Sequence, residues 1–228
     1  MYFAELGISK MKAVWHVSFP AHNHARSIRT AVESILGLIR DIVKSVYLGI
    51  IQVLTRLAYV ERELPSSISL WARLDVIPRA KHLERHRLLL GKNTLIESLC
   101  VVCTWHGDVI LKDGASIGIG SIVMGPVHIG ESSVCSQNCF ISGQSHHYED
   151  VSKNFLRQGV ETRQVVIGKN VWIGANSIIL PGVKIEDNSV IGAGSTIIED
   201  VPAYSVVAGN PGKIIKQYDF ETKQWKRV

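Results

Sequence analysis

Residues Ile167–Pro202 read IGKNVWIGANSIILPGVKIEDNSVIGAGSTIIEDVP, and every sixth residue is isoleucine: Ile167, Ile173, Ile179, Ile185, Ile191 and Ile197. Four residues after each stands something small or β-branched: Val171, Ser177, Val183, Ser189, Ser195 and Val201. Between them fall Gly, Asn and Asp, the residues that tolerate left-handed backbone angles at turns. A period of six fits neither an amphipathic helix nor a simple alternating strand. It fits a chain that makes a short strand, turns a corner and repeats, one aliphatic residue per side pointing inward. Self-similarity at a fixed period of this kind marks a parallel β-helix.

Outward from that stretch, LGKNTL (Leu90–Leu95) is a well-formed hexad, continued by inward positions at Ile96 and Val102. Phase is lost around Thr104–Gly107 and resumes, shifted by three, at Leu111, Ile117, Val123, Ile129, Cys135 and Ile141. It is lost again between Ser145 and Val165, where the isoleucine series takes over. Fifteen hexads, three to a triangular coil, predict about five coils. The open ends of such a prism are unpaired strand edges that need covering.

Ahead of the repeat, Ile28, Val32, Ile35, Ile39, Ile42, Val46, Ile50, Val53 and Leu57 step by three or four, which predicts helix from Ser27 to about Arg62. Its longest uncharged run, Ser45–Thr55, is too short for a hydrocarbon core that needs about 20 residues. The wide apolar surface is expected to serve helix–helix or subunit contact, or to lie on a membrane surface through 27–62. The expected organisation is therefore a mainly helical region over 1–88, a β-helix over 89–212 with a loop at 143–164, and a basic tail over 213–228.

The chain of 228 residues carries 46% hydrophobic and 20% charged residues, a globular composition with a net charge of +5. That charge suits an anionic small ligand, an acidic polymer or a membrane surface. No Arg/Lys clusters interleaved with aromatics are present, so nucleic acid is not an expected partner. Cys100, Cys135 and Cys139 fall at inward hexad positions and read as buried thiols rather than zinc ligands, and no metal is expected. Free thiols with no secretory signal point to the cytoplasm.

A regular β-helix does not need the insertion GQSHHYEDVSKNFLRQGVETRQ (Gly143–Gln164), and a long loop on a rigid repeat is usually functional. It holds His146, His147, Glu149 and Asp150. His128 precedes His146 by 18 residues, one coil, and is expected to stack on the same face. A carboxylate such as Asp150 beside His146 would fix its tautomer and raise its basicity, the arrangement a general base requires. No Ser–His–Asp constellation with a nucleophile elbow accompanies it, which favours direct transfer without a covalent enzyme intermediate.

The tandem [LIV]-G-x-N-x-x hexads, the S-H-H-Y-E-D loop, and VVIGKNVWIGANSIILPGV followed by IGAGSTII and DVPAYSVVAGNPGKIIK resemble the hexapeptide-repeat acyltransferases over Leu90–Lys216. The likeness lies nearest the sugar and surface-polysaccharide O-acetyltransferases. It implies a left-handed parallel β-helix, an exception to right-handed crossovers, usually assembled as a homotrimer with each active site between two subunits. It implies acetyl-CoA as co-substrate and a sugar or polysaccharide acceptor, met in the cytoplasm or at the inner face of the membrane. His146 matches the family's catalytic histidine. The oxyanion donor would be the backbone N–H of Gly174 or Ala175, and Trp172 would line the acetyl and pantetheine end. Amides at Ala193 and Gly194 would hold the pantetheine arm, and Lys213 and Lys216 would meet the nucleotide phosphates. Ile198 and Glu199 stand before Asp200 where relatives often carry Thr-Lys, and the acceptor-side Asn and Asp of galactoside acetyltransferase have no clear counterpart. Alternatives are a serine acetyltransferase, which also has a helical N-terminal domain, and a non-catalytic trimeric scaffold. A γ-class carbonic anhydrase is disfavoured because the repeats hold no His-x4-His.

Overall fold

The computed structural model describes residues 23–76 and 86–228. Met1–Ile51 and Gln52–Val228 form two compact units. The first contains most of a 37-residue helix, α1 (Asn23–Tyr59). Along it Ile35, Ile39, Ile42, Val46, Ile50 and Val53 are all about half exposed. Among the described residues no helix is long and apolar enough to cross a membrane.

The second unit is a triangular prism of parallel β-structure. Its first face stacks β1 (Val60–Arg62), β4 (Leu88–Leu90), β7 (Val109–Leu111), β10 (Val127–Ile129), β15 (Val165–Ile167) and β18 (Lys184–Ile185). The second stacks β2 (Ser67–Ile68), β5 (Leu95–Ile96), β8 (Ser116–Ile117), β11 (Val134–Cys135), β16 (Trp172–Ile173) and β19 (Val190–Ile191), and ends in β21 (Ser205–Gly209). The third stacks β3 (Arg73–Asp75), β6 (Val101–Cys103), β9 (Ile122–Met124), β12 (Phe140–Ser142), β17 (Ile178–Ile179) and β20 (Thr196–Ile197). The chain visits the three faces in turn, so these are six coils.

Like stacks on like inside the prism. Leu111, Ile129, Ile167 and Ile185 succeed one another on the first face, each at most 1% exposed. Ile129 pairs with Ile167, 38 residues on, and Leu90 with Leu111, 21 on, whereas the regular step is 18, as from Ile167 to Ile185. The two longer steps are the two places where the sequence loses phase. Left-handed backbone at the corners is carried by Asn170 (φ 52), Asn176 (φ 59) and Asn188 (φ 58), and by Gly194 (φ 71). The serines at the small positions are buried with their hydroxyls satisfied. Ser177 Oγ donates to Gly174 O at 2.7 Å, and Ser133 Oγ donates to Gly168 O at 2.7 Å while accepting the Val171 N–H at 2.9 Å.

Two boundaries differ from the sequence expectation. The prism begins at Val60 rather than at 89, because β1–β3 form a first coil with no hexad pattern, held through backbone pairing to β4, β5 and β6. Residues 213–228 are not a free tail. β22 (Gly212–Asp219) and β23 (Gln224–Arg227) pair antiparallel onto β21, Ile214 packs against the core, and Tyr204, Tyr218, Phe220 and Trp225 form an edge-to-face cluster there.

None of the four cysteines forms a disulfide, and all are buried, none more than 4% exposed. Burial raises the thiol pKa of Cys100, Cys135 and Cys139 above the ordinary value. Those three thiols stay protonated near neutrality, and burial keeps reagents from all four sulfurs. Native protein is therefore expected to leave all four thiols unreacted with a disulfide reagent at pH 8 and to release four equivalents in guanidinium. Rapid native reaction of two or more would contradict the closed column.

Candidate active site

The insertion after β12 is ordered. β13 (Gln144–His146) pairs antiparallel with β14 (Val160–Thr162), placing His146 opposite Val160. A single-turn 3-10 helix, Phe155–Arg157, closes the loop, its first turn capped where Asn154 accepts the Leu156 N–H at 2.9 Å. The Phe155 ring meets the His146 imidazole edge-on at 5.9 Å. Exposed His146 places Nδ1 3.3 Å from Gly159 O. A carbonyl oxygen only accepts, so this contact puts the proton on Nδ1 and leaves the Nε2 lone pair facing outward.

Asp150 does not take that orienting role. Its carboxylate accepts from Ser152 N at 3.1 Å and Ser152 Oγ at 2.5 Å, and pairs with Lys153 Nζ at 2.6 Å. The bonds from Lys153 and Ser152 hold its pKa below the ordinary value. The carboxylate shapes the loop, while a backbone carbonyl orients the histidine. His147 instead faces a carboxylate, with Nδ1 3.7 Å from Glu149 Oε2.

The expected stacking of His128 under His146 is also corrected. His128 pairs with Ile110 on one side and Val166 on the other, because the insertion lifts His146 out of the coil and hands its rung to β15. The Nε2 atom of His128 is buried with no hydrogen-bond partner among the described residues, and the pKa of the ring is lowered by burial and then by Lys112.

The other candidate residues lie along the second face and the corner that follows it. Trp172 points outward, 57% exposed, its Nε1–H donating to Ser136 Oγ at 3.0 Å. Gly174 N–H donates to Ile191 O at 2.8 Å, so of the two proposed oxyanion donors it is already used. Ala175 N–H has no acceptor among the described residues. One coil on, Gly194 N–H is spent on Ala175 O at 2.8 Å, while Ala193 N–H has no acceptor among the described residues. Two unused amides therefore follow one another along this corner.

Lys213 and Lys216 extend the same side. Three residues apart in a plain strand, they would point to opposite faces. The register between β21 and β22 shifts at Val206/Val207, so Lys216 pairs with Val206 and Lys213 with Ala208, and both lysines share the outer side. Val206 follows Val190 and Trp172 rung by rung, which puts Lys216 about 14 Å from Trp172, three strand spacings. That bulge carried no sequence signal.

His146 leaves the prism at the corner between the third and first faces, whereas Ala175 lies at the corner between the second and third. A single chain does not bring the imidazole to the unused amides. His86, His106 and Asp108, which the sequence reading passed over, gather at the corner of His146. Their only signal was the loss of phase at Thr104–Gly107.

Residues 164–199 match the family model described as bacterial transferase hexapeptide (six repeats). The chain is 36% identical over 109 residues to the putative lipopolysaccharide biosynthesis O-acetyl transferase WbbJ of Escherichia coli, covering 45% of this chain and 56% of that protein. It is 32% identical over 130 residues to the putative colanic acid biosynthesis acetyltransferase WcaF of the same organism, covering 56% and 68%. Among solved structures, AntD, an N-acyltransferase from Bacillus cereus in complex with a dTDP-sugar and coenzyme A, superposes with a TM-score of 0.59 at 19% identity, covering 75% of this chain and 90% of that one. The chain belongs to the hexapeptide-repeat transferase family, and its fold is the left-handed parallel β-helix.

A Cβ on Gly174 would sit 2.5 Å from Ala193 N and 2.8 Å from Ile191 O. Gly174→Ala is expected to cost about 1–3 kcal/mol by overpacking, and thermal unfolding that finds the variant unchanged would contradict the close approach of these coils.

Proposed function

We propose that this chain is an acetyl-CoA-dependent O-acetyltransferase that modifies a sugar hydroxyl in surface-polysaccharide biosynthesis. The observation that carries the reading is the run of unused amides at Ala175 and Ala193, continued by Lys213 and Lys216 on one side of the prism. Backbone N–H groups along a groove suit the amide carbonyls of a pantetheine arm, and two lysines beyond them suit phosphates. The names of WbbJ and WcaF support transfer to a polysaccharide hydroxyl.

In this reading His146 Nε2 takes the proton of the acceptor hydroxyl as its oxygen attacks the thioester carbonyl carbon. The Ala175 N–H donates to the oxyanion that forms, which is where a preorganised amide contributes most. The carbon–sulfur bond then breaks, and His146 returns the proton to the departing thiolate. Because the imidazole and the amides lie at different corners, the site is completed between copies of the chain, and a homotrimer places each histidine loop against a neighbour's amide corner. A cytoplasmic setting at the inner membrane face belongs to the same proposal, supported by the exposed apolar side chains of α1.

Calorimetric titration with acetyl-CoA and CoA, on wild type and His146→Ala, tests the chemistry. Both proteins are expected to bind both ligands, with turnover of acetyl-CoA falling at least about a hundredfold in the variant. Absence of binding to wild type would sink the acyltransferase reading. Cosedimentation with anionic vesicles, lost on adding neutral vesicles alone, is expected from the setting, and protein that stays wholly in the supernatant would remove that part.

A further inference from the structure

Two loops leave the prism at the corner between the third and first faces, and both root on Pro126. A Cβ on Gly107 would lie 2.6 Å from Pro126 N, and one on Gly143 would lie 2.7 Å from the same atom. The connection Thr104–Asp108 and the base of the 143–164 loop are therefore clamped against one residue, from opposite sides. The coil between them rounds this corner with Gly125–Pro126 alone, since β9 ends at Met124 and β10 begins at Val127. A notch results. Its floor is Gly125–Pro126, and its walls stand about 10 Å apart, two strand spacings.

One wall carries His146. The other carries His106, half-buried, with His86 nearby. His86 Nδ1 lies 3.6 Å from Asp108 Oδ1, and the same carboxylate oxygen accepts the Arg87 N–H at 2.7 Å, which fixes this wall. Burial lowers the pKa of His106, and His86 and His146 are near enough to lower it further. A neutral imidazole offers one donor and one acceptor, the complement of a hydroxyl, whereas an anion would call for a charged ring. The lining thus suits a neutral, hydroxyl-rich ligand small enough for a gap of two coils.

We propose that His106 is the acceptor-side partner of His146: the notch over Gly125–Pro126 holds one hexose unit, His106 binding one hydroxyl while another is presented to His146 Nε2. The proposal rests on the acyltransferase reading above and adds the residue that positions the acceptor. It makes the acceptor subsite a property of one chain, although the donor amides come from another.

The test measures CoA release from acetyl-CoA with a panel of 4-nitrophenyl hexopyranosides as probes, in wild type, His106→Ala and His106→Asn. Acetyl-CoA binding and hydrolysis to water are recorded on the same preparations. Wild type is expected to be stimulated by at least one glycoside. His106→Ala should raise KM for that glycoside tenfold or more, with acetyl-CoA binding unchanged. His106→Asn, which keeps a donor and an acceptor, should recover part of the loss. Equal stimulation in wild type and His106→Ala overturns the proposal, and so does a wild type that binds acetyl-CoA but responds to no glycoside. A wild type that does not bind acetyl-CoA fails the parent reading instead, and this one with it. Should His106→Ala melt early, His106→Asn alone decides, because a purely structural role would leave the glycoside KM untouched in a well-folded variant.

Discussion

Backbone pairing between successive coils is the constraint on which everything else in this protein depends. Strands of two or three residues cannot hold together alone; each amide must find the carbonyl of the next coil, as Trp172 N finds Ser189 O and Ile178 N finds Ser195 O. That pairing fixes an 18-residue step, and the step in turn brings isoleucine over isoleucine on each face. Anything the chain adds must enter where no ladder is broken. Both insertions accordingly leave at one corner, after β6 and after β12, and both rejoin the first face in register. The loops therefore stand at a corner, where the ladders of the faces stay whole.

The corners are not equivalent, and their differences are written in side chains. At the corner between the first and second faces, two of the turn amides are capped by aspartates of the next coil: Asp113 accepts from Lys92 N at 3.0 Å and Asp187 from Lys169 N at 2.7 Å. Early in the next corner, Glu97 does the same for Ile119 N at 2.8 Å. Later in that corner stand Ala175 and Ala193, whose side chains put no acceptor near the turn. Leaving an amide unpaired at a surface turn costs little while water reaches it, and leaves a donor available to a ligand. Alanine there removes a cap and leaves the backbone donors open, as the proposed function requires.

Much of this was legible in the sequence, and the failures share one cause. The hexads revealed the inward column and the corner residues, since Asn170, Asn176 and Asn188 do adopt left-handed angles. What periodicity could not reveal is pairing that runs through backbone alone. The first coil, with Leu64–Pro65 where a hexad should be, pairs with the second through Val60, Ser67 and Arg73 without repeating its pattern. The bulge that turns Lys213 and Lys216 to one side is likewise a matter of register. The pairing of His128 with His146 failed because counting 18 residues across an insertion measures chain length, not rungs. Asp150 failed because proximity in sequence put it on Ser152 and Lys153, while the carbonyl of Gly159, 13 residues from His146, reached the imidazole.

A division of labour follows from which corner does what. In the proposed function the donor side depends on backbone amides and on the close approach of Gly174 to Ala193, so it tolerates little change without disturbing the coils themselves. The proposed acceptor side hangs on two loops rooted at Pro126, whose tips can vary while Gly107 and Gly143 keep their roots in place. A prism built this way can keep one acyl donor and change the molecule it modifies by altering residues such as His106 and the loop around His146. In that reading the corner of Ala175 and the corner of His146 can be altered separately, because a rigid column of paired coils stands between them.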